Sequence, residues 1–292
     1  MSISENLYII FTMDCERIRK YSPPGGPETW ELSEKAIKGY TKILADHGYT
    51  GTLFIVPNTA EYHRELFLEI KDQGFELGMH YHPQSFLDGR YTRYLGEYSY
   101  EEQLEQLSLA VEYWSRALGF KPESFRPGNF SANKYTYSVL LKLGFRQGSD
   151  YLPNRNIPKY HAVWINANPY PHHIEEGDYL EVPATSAIWE PIKVGDPTHL
   201  RIEGYSTEKL CDLVDKWIKH LIEKKVLLKT IVVFTHNFID YSDYRNKYTV
   251  RLNKLIKFIE KALQENDLTL NSITLKDLHA VIDSIVFSSR CN

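Results

Sequence analysis

Short, β-rich apolar runs recur along this chain, separated by stretches of helical period, and that alternation constrains the fold more than any other feature. The runs fall at 7–13, 52–56, 76–79, 124–126, 145–149, 163–166, 179–182 and 230–234. Between them the helix signals are explicit. A periodic stretch over 32–47 stops at Gly48, and one over 59–73 opens after Asn58 and closes at Gly74. Ser99 with Glu102 makes a capping box for a helix that runs to Leu118, with Gly119 as its C′ residue. Ser131 opens another helix that closes at Gly144, long periodic segments at 207–224 and 244–264 flank the run at 230–234, and a last short helix begins near Thr274. About seven β-then-α units, with no linker-like segment and no internal repeat, predict a parallel sheet. The expected architecture is one α/β domain over 1–292, a distorted (β/α) barrel of about seven strands rather than two Rossmann halves. The alternation fades between Asp150 and Asp178, a stretch rich in Pro, Asn and His.

Composition narrows the function classes. With 292 residues, 42% hydrophobic and 25% charged, the chain can bury a substantial core, and a net charge of −4 argues against a nucleic-acid partner. The first apolar run follows Glu5 and meets Asp14, too short and too acidic for a secretory h-region, and no stretch approaches the roughly 20 apolar residues of a membrane span. Cys15, Cys211 and Cys291 are widely spaced with no CxxC, which offers neither a disulfide framework nor a thiolate zinc cluster. A soluble, reducing, cytoplasmic setting is expected.

In a barrel of this kind the chemistry sits where strands end and loops begin. Four such places stand out. The first run ends in Asp14-Cys15-Glu16, and in extended backbone the two carboxylates share a side, either as solvated acids or as a pair dividing metal binding and base duties. The run at 76–79 continues into His80-Tyr81-His82-Pro83. Pro83 biases His82 toward extended backbone, so the two imidazoles share a face. With a carboxylate from another strand they would form a three-ligand zinc site, the alternative being two loop histidines. Arg126 leaves its strand before Pro127-Gly128-Asn129 and either orients a carboxylate by a two-pronged hydrogen bond or makes a surface ion pair. His236 ends the run at 230–234 and is either catalytic or structural. His172 and His173 also adjoin, but no expected strand presents them, and they are read as ordinary loop residues.

The order of these signals resembles the polysaccharide deacetylases (NodB-homology, carbohydrate esterase family four) over nearly the whole chain. That resemblance implies a distorted barrel that hydrolyses N- or O-acetyl groups on sugars with a divalent metal, usually zinc. By position, Asp14 matches the base aspartate, His80 the first metal histidine, Arg126 the arginine that orients the base and His236 the general-acid histidine. The segments Leu180-Glu181-Val182-Pro183 and Leu143 to Asp150 resemble connecting segments of the family. Two departures are plain. The usual Thr-Phe-Asp-Asp-Gly reads Thr12-Met13-Asp14-Cys15-Glu16, as in relatives with an Asp-x-Glu pattern, which makes Glu16 the carboxylate ligand. The usual second histidine position holds Gln84, and His82 takes its place in a His-x-His-Pro version. Cys15, one residue out of phase, is expected to pack as a small hydrophobe.

The expectation is therefore metal-assisted amide hydrolysis, with Glu16, His80 and His82 holding the metal, Asp14 taking the water's proton, His236 protonating the leaving amine and Arg126 keeping Asp14 ionised. Tyr81, Phe86, Tyr91, Tyr94 and Tyr98 form either a pocket wall or a packed aromatic layer. The expected partner is a small-molecule or oligosaccharide substrate from surface-polysaccharide metabolism. Two rivals stand beside this: a hydrolase of a non-sugar amide, resembling allantoinases and formamidases, and a carbohydrate-binding pseudoenzyme.

Overall fold

Every residue from Leu7 to Cys15 is buried, as a parallel strand covered on both faces requires, and this strand, β1 (Asn6–Cys15), is the centre of the molecule. The structure is a computed structural model that describes residues 5–22, 25–174 and 178–290. The other strands are β2 (Gly51–Ile55), β3 (Glu76–Tyr81), β4 (Ser124–Pro127), β5 (Gln147–Gly148), β6 (Asn156–Ile157), β7 (Ala162–Val163), β8 (His172–His173), β9 (Leu180–Glu181), β10 (Lys229–His236) and β11 (Thr269–Ser272). The helices are α1 (Trp30–Asp46), α2 (Pro57–Tyr62), α3 (Arg64–Asp72), α4 (Tyr100–Leu118), α5 (Thr136–Leu143), α6 (Thr207–Glu223), α7 (Lys247–Glu265) and α8 (Leu275–Arg290).

The main sheet runs β10-β1-β2-β3-β4-β5-β9-β8. Its first seven members are mutually parallel, while β8 joins antiparallel to β9. One edge of β1 is shared: β11 takes Asn6 to Ile9 and β2 takes Phe11 to Cys15. The sheet curls until the segment after β9 meets β10. There the Thr185 hydroxyl accepts from Val232 N (2.9 Å), and Phe234 exchanges backbone bonds of 3.0 Å with Leu200 and Ile202. The expected distorted barrel is borne out, closed by an irregular segment in place of an eighth strand.

Several expectations shift locally. The run at 163–166 contributes only Val163, in a two-stranded antiparallel ribbon of β6 with β7 off the main sheet, because Asn166 turns left-handed (φ 57°) and ends the extension. The helix expected over 59–73 breaks at His63 (φ −104°, ψ 29°), whose ring packs edge-on against Trp30 and Tyr62. The helix expected from Ser131 starts only at Thr136, since Asn133 engages Gly96, Tyr98 and Gln103 and the Thr136 hydroxyl accepts from Asn133 N. The final helix is 16 residues, longer than expected. His172 and His173 do lie on a strand, paired with Glu181 and Leu180. Cys15 is buried among hydrophobic side chains and Cys211 is half-buried; neither is bonded to another cysteine, and Cys291 lies outside the described residues. Among the described residues no helix is long and apolar enough to cross a membrane.

The Tyr-rich segment after His82 packs rather than opens. Tyr81, Phe86 and Tyr98 are buried, and Phe86 makes ring contacts with Tyr81, Tyr91 and Tyr113 on α4. The helix beneath begins with the capping box read from sequence: Ser99 Oγ accepts from Glu102 N (3.3 Å), and Glu102 Oε2 accepts from Ser99 N (2.8 Å). Ser99→Ala removes one of these bonds and should cost about 1 kcal/mol in denaturant unfolding, with turnover unchanged. A loss below measurement error would mean the cap is redundant.

Candidate active site

Parallel pairing brings the sequence signals together at the C-terminal ends of neighbouring strands. Asp14 on β1 sits in register with His236 on β10, and His80 on β3 with Arg126 on β4. Asp14, Glu16, His80, His82 and Arg126 are each at most 5% exposed, so their charges must be met by one another.

Arg126 is fully buried. Its Nη1 donates to Asp14 Oδ1 (2.8 Å) and to Thr12 Oγ1 (2.9 Å), and its Nε donates to the Ser149 carbonyl (3.2 Å). The guanidinium also lies 4.3 Å from the centre of the Phe54 ring. The two-pronged grip expected on one carboxylate is instead divided among three partners, which leaves Asp14 Oδ2 facing His236 Nε2 at 3.8 Å.

Glu16, His80 and His82 form a second group whose candidate ligand atoms all lie within 4.8 Å of one another. Glu16 Oε1 is 2.8 Å from His82 Nε2 and 3.3 Å from His80 Nε2. A carbonyl can only accept, so His80 Nδ1 (2.8 Å from the Arg126 carbonyl) carries the proton, and in the neutral ring a lone pair at Nε2 faces the carboxylate. Glu16 Oε2 and His82 Nδ1 are buried with no hydrogen-bond partner. Converging lone pairs and an unmet carboxylate oxygen fit a divalent cation well, and two imidazoles with one carboxylate suit zinc. Gln84 lines a separate surface cavity with Lys20 and Tyr21.

Three positioning residues were given no role of their own from the sequence. Glu203, on the irregular segment after the Arg201–Phe234 bridge, places Oε1 2.5 Å from His236 Nδ1 and 2.7 Å from Arg201 Nε. Asn237 clamps the backbone of Glu16, accepting from its N (2.8 Å) and donating to its carbonyl (2.9 Å). Gly128 lets the His82 ring lie against the chain, since a Cβ there would stand 2.2 Å from His82 Nδ1. The next two residues, Asn129 and Phe130, both adopt left-handed backbone (φ 55° and 52°), which for Phe130 is a strained conformation at the site's rim.

The electrostatics follow from these contacts. Burial pulls Asp14 up, but the Arg126 guanidinium and the imidazoles outweigh it and hold the carboxyl below its usual range. Glu16 is likewise pushed up by burial and brought well below its usual range by His82 and His80. Burial disfavours the charged form of His80, yet Asp14 and Glu16 raise it overall. Glu203, despite its burial, is held down to about 2 by Arg201 and His236. Burial raises the Cys15 thiol well above its usual range, so it stays neutral.

Residues 26–148 match the family model for polysaccharide deacetylase. A sequence comparison with curated proteins gave no match. Among solved structures, a probable polysaccharide deacetylase from Pseudomonas aeruginosa superposes with a TM-score of 0.61 at 14% identity, covering 95% of this chain and 91% of that one. The Puue allantoinase gives 0.61 at 13% identity, with 95% and 90% covered. A CE4 family pseudoenzyme from Bacillus anthracis gives 0.51 at 13% identity, covering 94% of this chain and 66% of that one. The fold is that of these proteins, and the resemblance to polysaccharide deacetylases read from the sequence is borne out by the family model over residues 26–148, which include His80, His82 and Arg126.

Gly128 supplies a test of the geometry that removes no ligand. If Glu16, His80 and His82 hold a divalent metal, Gly128→Ala should displace His82 and weaken that binding by at least the roughly 10–100-fold typical of residues that support ligands, as measured by competition with a chelator. Unchanged affinity would show that His82 does not bind metal where it lies.

Proposed function

We propose that this chain is a divalent-metal-dependent hydrolase that removes an acetyl group from an N-acetylated sugar or a sugar-containing precursor. The observation that carries the proposal is the pairing of Asp14 and His236 beside the Glu16, His80 and His82 group in one cavity. Its volume of about 80 Å³ has room for an acetyl-sized group and leaves the rest of the substrate outside.

A zinc-type ion held by Glu16, His80 and His82 would supply Lewis acidity toward an acyl oxygen and toward water. The chain's own groups do the rest. Asp14 is ionised and accepts the attacking water's proton at Oδ2, the oxygen that Arg126 leaves free. The water oxygen bonds to the acyl carbon and the C–N bond breaks. His236, its Nδ1 tied to Glu203, directs Nε2 toward the departing nitrogen and gives it a proton, so acetate and free amine leave. Burial around Arg126 strengthens its hold on Asp14. The free thiols of Cys15 and Cys211 suit the reducing, cytoplasmic setting proposed for the protein.

One observation favours a second substrate class. Arg155 and Arg201 line the same cavity, a polar enclosure that would also take a compact non-sugar amide.

Acetate release from N-acetylated amino sugars, measured beside turnover of allantoin and formamide, separates the two. Asp14→Asn should abolish turnover while zinc content persists. His82→Ala should purify without zinc at this site and without activity, while Gln84→Ala keeps both. Turnover and an intact site after His82→Ala would overturn the ligand set, and no release from any of these amides by zinc-loaded protein would overturn the reading as hydrolase.

The depressed Asp14 carboxyl also sets a pH dependence. Asp14 works ionised, so activity falls as pH drops through its pKa. Arg126→Lys replaces a divided guanidinium with one ammonium that cannot reach Asp14, Thr12 and Ser149 together. Asp14 then moves up in the direction burial favours, and the acidic limb of kcat/KM should shift to higher pH. An unshifted limb would show that the limb does not report Asp14.

A further inference from the structure

A second group of ligand-type side chains lies at the opposite end of the sheet, and we propose that it is a structural zinc site formed by His173, Asp178, His279 and Asp283. It joins the β8–β9 edge to α8. His279 and Asp283 are four residues apart on one face of α8, a spacing that lets both reach a single ion. His279 Nε2 lies 3.7 Å from Asp178 Oδ1 and 3.8 Å from Asp283 Oδ1, and His173 Nδ1 lies 3.6 Å from Asp178 Oδ1. Ligand atoms placed tetrahedrally about 2.0–2.1 Å from zinc stand roughly 3.3–3.4 Å apart. Small rotations of three exposed side chains therefore close the site around His279.

The decisive observation is the state of His279. It is 4% exposed, and its Nε2 is buried without a hydrogen-bond partner. A relay along the N-terminal ends of three strands fixes its tautomer. The Ser124 hydroxyl gives its only proton to the Glu76 carboxylate, so Ser124 Oγ must accept from the Gln147 amide (2.8 Å). That turns Gln147 Oε1 toward His279 Nδ1 (2.9 Å), which must then carry the ring's proton. In the neutral ring, Nε2 is a bare lone pair aimed at two carboxylate oxygens. Arg146 pairs with the other oxygen of Asp178, Oδ2 at 2.5 Å, and leaves Oδ1 to the histidines. A divalent cation meets the lone pairs of all four side chains, and two imidazoles with two carboxylates favour zinc over magnesium or calcium. Its place at the strands' N-terminal ends, away from the cavity, marks it as stabilising rather than catalytic.

The test is zinc stoichiometry on the full chain, titrated against a chromophoric chelator. Zinc-binding equivalents should number two in the wild type, one in His82→Ala, one in His279→Ala and none in the double variant. If the active-site reading alone is wrong, His82→Ala will equal the wild type while His279→Ala still loses one. In the His82→Ala background, zinc should raise the Tm, and adding His173→Ala with Asp283→Asn, both at exposed positions that leave the core intact, should weaken zinc binding at least tenfold. This pair carries the test if His279→Ala does not fold. Equal stoichiometry in His279→Ala and wild type, or undiminished affinity after the exposed pair is changed, would overturn the proposal.

Discussion

The buried guanidinium of Arg126 is the interaction around which the site is arranged. A cation with no exposed surface is costly to bury and persists only when its charge is met from several sides, even though Nη2 of Arg126 has no hydrogen-bond partner. Here the partners come from three strand ends: Thr12 and Asp14 at the end of β1, the Ser149 carbonyl just past β5, and the Phe54 ring on β2. Removing one side of such a pair typically costs about 3–5 kcal/mol. That cost ties the curl of the sheet to the ionisation of Asp14, so fold and electrostatics are set by the same contacts.

The two buried carboxylates of the site then divide according to their surroundings. Asp14 faces a guanidinium on one side and His236 on the other, the surroundings of the proposed base beside the proposed acid. Glu16 faces two imidazole nitrogens and keeps one oxygen unmet, an environment for a cation. Spacing of two across the end of β1 puts them side by side, but the strands opposite them make them different. Asn237 reinforces the division by clamping the Glu16 backbone, so that its side chain projects toward the histidines.

His236 depends on residues distant in sequence. Glu203 reaches it only because the chain after β9 lies against β10 and closes the curled sheet. Barrel closure and the orientation of the proposed acid are therefore one structural event. The strained left-handed turn at Asn129 and Phe130 is the local counterpart on the other side of the cavity, where Gly128 gives the His82 ring its space.

By itself the sequence determined which carboxylates, imidazoles and guanidinium stand at strand ends, because apolar runs, caps and strand-end polar residues are local signals with local physical causes. Asp14, Glu16, His80, His82, Arg126 and His236 were all legible in that way, as was the parallel architecture. What the tertiary structure decided was long-range. Arg126 splits its donors because β1 and β5 converge on it. Glu203 and Asn237 matter because strand order places them beside His236 and Glu16. His172 and His173 lie on a strand because β9 offers a free edge, a pairing too short to leave a periodic trace in the sequence. Local periodicity reports what a segment buries, whereas the partner of a buried charge depends on which distant segment folds over it.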